Sequence, residues 1–213
     1  MNVQHDRALD IALGNSRKTK TWKNKTLRWS DLLERLSKET RTPETVAEYK
    51  AMSRDRQHDV KDVGGFVGGY CNEGRRSDVE YRSILCLDAD FATPDLWPDW
   101  ELLFGNAGAV YSTHKHTPDK PRLRLIIPLS REITEEEYPA VARMVAKEIG
   151  IDKFDDTTYE ACRLMYWPST SANGEFFYQA KDGEYLDPDK YLDMYADWRD
   201  TSTWPVSSRQ SEA

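Results

Sequence analysis

Two carboxylates stand one residue apart at the end of an apolar run in SILCLDADF, residues 83–91. Because side chains at positions i and i+2 of a strand point to the same face, Asp88 and Asp90 share a face if this run is a strand. Carboxylate oxygens at that spacing can bind Mg²⁺ or Mn²⁺, which would hold the attacking and leaving oxygens of a phosphoryl transfer. An isolated DxD pair also occurs at strand ends where exposed carboxylates only solubilise a turn.

A second group of polar residues lies in YSTHKHTPDKPRLRL, residues 111–125. Ser112 and His114 share a face of one expected strand, and Arg122 and Arg124 share a face of its expected hairpin partner. Guanidinium groups make bidentate contacts with phosphate oxygens, so these side chains beside a carboxylate pair would suit the triphosphate of a nucleotide. Taken singly, each is an ordinary polar residue of a half-exposed strand. Together with the acidic pair, they indicate a phosphate-handling site.

A basic segment, RKTKTWKNKTLR at residues 17–28, holds six basic residues and no acidic one. Single-stranded nucleic acid suits such a segment, because cations follow the phosphates and aromatic rings stack on the bases. We therefore predict nucleic-acid contacts at Lys20, Trp22, Lys23 and Lys25. The alternative interpretation is a solvated loop.

The elements that must position these residues alternate between strands and helices. Strand patterns are expected at residues 83–91, 108–116, 121–129, 162–168 and 175–179, and a helix that ends at Gly150 follows the third of them. The glycine-rich stretch at residues 61–76 has no GK[ST] after it, so a Walker-type nucleotide site is not supported.

Composition limits the class of protein. The chain has 213 residues, 38% of them hydrophobic and 31% charged, which is enough for one good core and a small second lobe. A net charge of -7 argues against a protein that coats nucleic acid indiscriminately. No apolar run approaches the roughly 20 residues of a membrane span and the N-terminus lacks a signal-peptide pattern, so a cytoplasmic protein without a membrane partner is expected. The three widely spaced cysteines support neither a disulfide framework nor a zinc knuckle.

Three short motifs resemble, in order and spacing, those of the archaeo-eukaryotic primase superfamily. They are DAD at residues 88–90, STH at residues 112–114, and FD at residues 154–155 followed by RLMYWP. The similarity covers about residues 61–187. The sequence around the motifs also resembles the primase-polymerase domains of phage and mobile-element replication proteins.

The resemblance implies an α/β fold with a two-lobed catalytic domain, in which an RRM-like antiparallel or mixed sheet forms the palm and helices pack on it. We accordingly expect a helical and basic N-terminal segment at residues 1–60 packed on the core, a catalytic core at residues 61–195, and a linker or tail at residues 196–213.

The resemblance also implies roles for the motif residues. Asp88, Asp90 and Asp155 would ligate Mg²⁺ or Mn²⁺, His114 would contact the nucleotide phosphates, and Arg163 could approach them. The reaction would be template-directed nucleotidyl transfer, with single-stranded DNA and nucleoside triphosphates as partners. A helicase domain often follows such a domain.

Asp155 and Asp156 are neighbours, and only one is expected to act. The family pattern places the acid directly after a hydrophobic residue, and Phe154 precedes Asp155. If Phe154 lies in the core, strand alternation sends Asp155 to the opposite face. Asp156 is then expected to cap the TTY segment that follows it.

Two other functions stay open. A rolling-circle replication initiator or relaxase would use a histidine pair, which His114 and His116 imitate, and a tyrosine nucleophile. The residue between those histidines is usually hydrophobic, but here it is Lys115. A catalytically silent module that binds single-stranded nucleic acid is the second alternative.

Overall fold

Strands and helices alternate through most of the chain in the computed structural model, which describes residues 3–211. The strands are β1 (Ala8–Gly14), β2 (Lys23–Arg28), β3 (Thr40–Thr42), β4 (Gly65–Val67), β5 (Gly69–Cys71), β6 (Val79–Ala89), β7 (Gly108–Ser112), β8 (Leu123–Thr134), β9 (Met165–Tyr166), β10 (Ser169–Ser171) and β11 (Tyr178–Lys181). The helices are α1 (Trp29–Leu36), α2 (Val46–Ala51), α3 (Arg54–Val60), α4 (Leu96–Leu103), α5 (Glu137–Ile149), α6 (Pro188–Leu192) and α7 (Ser208–Ser211).

A five-stranded antiparallel sheet with the order β11-β7-β8-β6-β5 carries the predicted motif strands. Its central strands are continuous apolar runs because both faces of the sheet are covered. Along β6, Leu85 and Leu87 join a cluster with α4 and α5, whereas Ile84 and Cys86 join a second cluster with α1 and β1. Strand alternation therefore places Asp88 on the same face as Ile84 and Cys86.

A four-stranded sheet with the order β2-β1-β4-β9 contributes to the second cluster. Helix α1 packs there through an apolar stripe at helical spacing, formed by Trp29, Leu32, Leu33 and Leu36. β1 and β2 come from the N-terminal segment, while β4 and β9 lie within the predicted catalytic core. The two parts of the chain thus share one sheet.

The N-terminal segment differs from the helical segment that the sequence predicted. It contains β1, β2 and β3 as well as three helices. β3 pairs in parallel with β10, which ties the stretch around residues 40–60 to the strands beside the predicted site. The prediction missed the period of two that Leu9, Ile11 and Leu13 form in β1, whereas β2 and β3 are mostly polar and short.

The C-terminal stretch predicted as a linker or tail packs on the core as far as the structure describes it. Trp204 lies against the main cluster, and Ser207 is fully buried. Arg209 donates hydrogen bonds to the carbonyl oxygen of Phe154 at 2.6 Å and to the carboxylate of Asp156 at 3.3 Å. In the described part of the chain, no helix is long and apolar enough to cross a membrane.

The predicted α/β class is confirmed, with two antiparallel sheets and a two-stranded parallel sheet packed by helices in the described residues. β7 and β8 form the predicted antiparallel hairpin. β7 ends at Ser112, earlier than expected, so His114 lies in the turn that follows the strand rather than on its face.

Candidate active site

A row of side chains crosses three neighbouring strands where the five-stranded sheet ends. In the strand register, Arg124 lies opposite Asp88 on one side and opposite Tyr111 on the other. Arg124 Nε is 3.4 Å from Asp88 Oδ1, and its guanidinium carbon is 5.8 Å from the centre of the Tyr111 ring. Its Nη1 and the Tyr111 hydroxyl both donate to the carbonyl oxygen of Tyr166, at 3.1 and 2.7 Å. This buried row fixes the position of the first motif carboxylate.

Two further pairs of aspartate and arginine complete the polar cluster. Arg122 Nη1 lies 2.9 Å from Asp90 Oδ1, and Arg163 Nη2 lies 3.9 Å from Asp155 Oδ1. The three pairs line one cavity of about 170 Å³, which we call the central cavity. Its lining includes seven of the predicted site residues: Asp88, Asp90, Asp155, His114, Arg122, Arg124 and Arg163. The structure therefore brings together side chains that are far apart in the sequence.

Ser112 is the motif residue that does not line the central cavity. It is buried, and its hydroxyl oxygen accepts a hydrogen bond from the backbone N–H of Phe177 at 2.9 Å. Its position in β7 puts its side chain on the face opposite to that of Tyr111. In this structure Ser112 holds the chain before β11 rather than facing the cavity with His114.

Asp155 and Asp156 occupy different surroundings. Phe154 is fully buried, and the backbone N–H of Asp155 donates to the carbonyl oxygen of Asp88 at 2.8 Å, which brings Asp155 to the central cavity. Asp155 also accepts from the backbone N–H of Thr157 at 2.8 Å and caps the 3₁₀ turn Asp156–Tyr159. The prediction that Asp156 caps this segment is wrong, because Asp156 faces Arg209 instead.

The carboxylates have the chemistry of a cation site, although they are paired with arginines. Burial raises the pKa of Asp90, and the neighbouring charge of Asp88 raises it further. Within residues 3–211, Asp88 Oδ1 is buried with no hydrogen-bond donor, and no three acidic, histidine or cysteine side chains are already arranged as metal ligands. A buried carboxylate oxygen that accepts no hydrogen bond, together with the other hard oxygen donors, fits Mg²⁺ or Mn²⁺ if the side chains turn from their arginines.

His114 is held by hydrogen bonds at both ring nitrogens. Nε2 lies 2.9 Å from Glu44 Oε1, and Nδ1 lies 2.9 Å from Ser169 Oγ. Burial alone would raise the pKa of Glu44, but hydrogen bonds from Thr42, His114 and Ser171 lower it below the ordinary value. Burial lowers the pKa of His114 although Glu44 opposes that effect. A neutral His114 then donates from Nε2 to an ionised Glu44. Contact of His114 with phosphates stays a prediction.

His116 does not complete a histidine pair with His114. Its Nδ1 accepts a hydrogen bond from the backbone N–H of Arg122 at 3.2 Å, and its ring lines a neighbouring cavity. The two rings are therefore committed to separate structural contacts. Nothing in this geometry favours the endonuclease alternative.

One wall of the central cavity is basic and was missed by the sequence analysis. It is formed by Arg54, His58 and Lys61 at α3, together with Lys115. Lys61 Nζ lies 5.2 Å from the centre of the Tyr166 ring. Burial, followed by the charge of Arg124, lowers the pKa of Lys61 to about 8. Among the residues described, no carboxylate oxygen lies within 4.0 Å of that ammonium group.

The basic segment of residues 17–28 is divided between surface and core. Lys20, Lys23 and Lys25 are exposed, and the last two belong to β2, an edge strand. Trp22 is only 3% exposed, and its indole Nε1 donates to the carbonyl oxygen of Thr19 at 3.1 Å. The predicted stacking of Trp22 on bases is therefore wrong for this conformation, whereas the three lysines stay candidates for phosphate contacts.

Replacing Lys61 is expected to stabilise the fold at neutral pH. The pKa of Lys61 falls from 10.5 in the unfolded chain to about 8 in the fold, so the unfolded state holds the lysine proton more tightly. The charged side chain therefore lowers the stability of the fold at pH values below about 8. Lys61→Met should raise the free energy of unfolding at pH 7 by about 1–2 kcal/mol. The difference from the original protein should shrink as pH rises from 8 towards 10.5, which urea denaturation at several pH values would measure. A less stable variant at pH 7 would contradict this expectation.

Of three comparisons with known proteins, two found a similar protein or family. The comparison with curated proteins gave no match. Among solved structures, the AEP domain of the cyanophage S-2L primase-polymerase is similar at 14% sequence identity and a TM-score of 0.46, over 87% of this chain and 88% of that chain. The family model of the VapE N-terminal domain matches residues 1–207. Because this match spans nearly all of the sequence, the chain belongs to the VapE N-terminal domain family.

Proposed function

We propose that the chain is a template-directed nucleotidyltransferase of the primase-polymerase type, which uses nucleoside triphosphates and a single-stranded DNA template. The observation that carries this proposal is the meeting of Asp88, Asp90 and Asp155 with three arginines around one small cavity. Paired carboxylates beside guanidinium groups are suited to phosphoryl transfer, in which catalysis rests on positioning and on charge stabilisation.

The three aspartates would hold Mg²⁺ or Mn²⁺, and the three arginines would contact the phosphates. A divalent cation at this position would supply charge neutralisation at the reacting phosphate and lower the pKa of the attacking 3′-hydroxyl. Without ligands, each arginine neutralises one aspartate, which avoids like-charge repulsion inside the cavity. When ligands bind, the partly exposed Arg122 and Arg163 can turn to phosphate oxygens as their aspartates turn to the cation.

The template would contact the lysines of β2 and the loop before it. Lys20, Lys23 and Lys25 are exposed and have no ion-pair partner among residues 3–211. Cations on an edge strand can follow a phosphate backbone without sequence preference. A helicase domain that acts with this chain, as the resemblance implies, is part of the same proposal.

A direct assay tests the function. The protein is incubated with a single-stranded template, Mg²⁺ or Mn²⁺, and labelled ribo- or deoxyribonucleotides, with and without a primer. Incorporation that requires both template and cation would support the proposal. Metal-independent DNA binding without incorporation would favour the silent module, and a covalent phosphotyrosyl adduct would favour the endonuclease.

Asp90→Ala is expected to lower nucleotide incorporation by at least about 100-fold, because a cation ligand is lost. Its stability should be unchanged or slightly higher, since burial and Asp88 already disfavour the charged form of Asp90.

Asp88→Ala should be equally inactive but less stable, because it leaves the buried Arg124 without its partner. Primer extension and thermal melting measure the two effects. Asp119→Ala, an exposed carboxylate change in the β7–β8 loop, is the control. Wild-type activity in both site variants would rule out the cation role.

The neighbouring acids should separate in the same assay. Asp155→Asn is expected to be inactive because Asp155 lines the central cavity. Asp156→Asn should keep at least part of the activity, because Asp156 faces Arg209 outside the cavity. An inactive Asp156→Asn beside an active Asp155→Asn would show that the wrong acid has been assigned.

Charge reversal of Lys20, Lys23 and Lys25 to glutamate should weaken binding of single-stranded DNA. It should also flatten the dependence of affinity on salt, because fewer counterions are released on association. Fluorescence anisotropy at several salt concentrations measures both quantities. A matched triple reversal at Lys38, Lys147 and Lys190, which are exposed elsewhere, controls for net charge. An equal loss in both triple variants would assign the effect to net charge and remove the template contact from this segment.

A further inference from the structure

The central cavity carries more positive than negative charge, although the whole chain is acidic. Its lining contains three carboxylates and six lysine or arginine side chains: Arg54, Lys61, Lys115, Arg122, Arg124 and Arg163. Three of the arginines each lie within 4.0 Å of one aspartate. Within the described residues, Arg54, Lys61 and Lys115 have no such carboxylate partner. The excess charge is therefore concentrated on the wall formed by α3 and the β7–β8 turn, and it favours an anion.

Lys61 differs from the other two unpaired cations in its burial. Arg54 and Lys115 are exposed, so water can satisfy their charge, whereas Lys61 is partly buried over the Tyr166 ring. An ammonium group has three donors, and in residues 3–211 no hydrogen-bond acceptor or carboxylate is within reach of Nζ. Partial burial disfavours the charged form of Lys61, and the oxygens of a phosphate group in the cavity would favour it.

His114, to which the resemblance assigns the phosphate contact, is poorly placed for that contact here. Its side chain is only 1% exposed. Glu44 and Ser169 occupy its two ring nitrogens, and Glu44 is itself held by Thr42 and Ser171. A phosphate oxygen could reach Nε2 only by displacing an ionised carboxylate that has several donors. The ring is thus anchored to the protein rather than offered to a ligand.

The dimensions of the cavity limit what can enter it. At about 170 Å³ it is smaller than the roughly 300–1,000 Å³ typical of sites that enclose a whole small molecule. A neighbouring cavity of about 310 Å³ shares His114, Lys115 and Arg122 with it. A polyphosphate chain can therefore occupy the central cavity while the rest of a nucleotide lies outside it.

We infer that Lys61 makes the cationic contact to the polyphosphate of the bound ligand, a contact that the resemblance assigns to His114. The identification of that ligand as a nucleoside triphosphate rests on the proposed function. His114 then positions the segment around Glu44 and does not touch the phosphates. Lys61 comes from the end of α3, so this segment supplies one wall of the nucleotide site.

Binding of inorganic triphosphate, measured by isothermal titration calorimetry in EDTA, tests the inference without requiring a metal or a reaction. Lys61→Met should weaken the affinity at least about tenfold, because a charge-assisted contact is lost, and Lys61→Arg should keep most of it. His114→Gln should lose less than Lys61→Met. Lys38→Gln, which changes a lysine paired with Glu34 outside the cavity, should bind as the original protein does. Thermal melting of each variant shows whether it is folded.

Two results would overturn the inference. One is unchanged triphosphate affinity in a folded Lys61→Met protein, and the other is no measurable triphosphate binding by the original protein. The incorporation assay distinguishes failure of the Lys61 assignment from failure of the proposed function. If nucleotides are incorporated but Lys61→Met binds triphosphate normally, the assignment of Lys61 fails alone. If nothing is incorporated but Lys61→Met loses triphosphate affinity, the polymerase proposal fails and the polyphosphate contact stands.

Discussion

The pair formed by Asp88 and Arg124 is the constraint on which the site depends. Both side chains are almost fully buried, and removing two charges from water costs several kcal/mol per ion unless each is compensated. Compensation requires that β6 and β8 keep the register that places the two residues opposite each other. It also requires β7 to supply Tyr111 and β9 to supply the Tyr166 carbonyl group. A register shift of one residue would move each side chain of the shifted strand to the other face of the sheet and separate the two charges.

The rest of the site is arranged around that pair by loops whose ends are fixed through backbone hydrogen bonds. Asp155 reaches the cavity because its N–H bonds to the carbonyl oxygen of Asp88 and Phe154 is held in the core. The stretch around residues 40–60 is fastened by the pairing of β3 with β10 and by the contact of Glu44 with His114. The cavity is therefore assembled from β6, β8, the turn after Phe154 and the end of α3.

The sequence was informative where a pattern reflects burial in a regular element. The apolar run that ends in Asp88, and the alternation that places Arg122 and Arg124 together, predicted the central strands and the polar edge. Positions set by tertiary contacts had no such signal. Glu44 and Lys61 are ordinary charged residues in the sequence and reach the cavity only through the packing of the N-terminal segment. Trp22 was misassigned because an indole among lysines can equally well fill a core, and Asp156 because a turn, not strand alternation, sets its direction.

The net charge of the chain is negative, whereas the exposed lysines of β2 and the lining of the central cavity are positive. An acidic surface repels nucleic acid, so a phosphate backbone would be favoured only where cations are concentrated, as they are at β2 and in the central cavity. Lys61 lowers the stability of the fold at neutral pH because its ammonium group is partly buried and, in residues 3–211, has no carboxylate within 4.0 Å. A lysine that lowers stability and lines a polar cavity is a candidate for binding a ligand there. If Lys61 contacts a phosphate as inferred, its partial burial would strengthen binding, because part of the cost of desolvating the ammonium group is already included in the free protein.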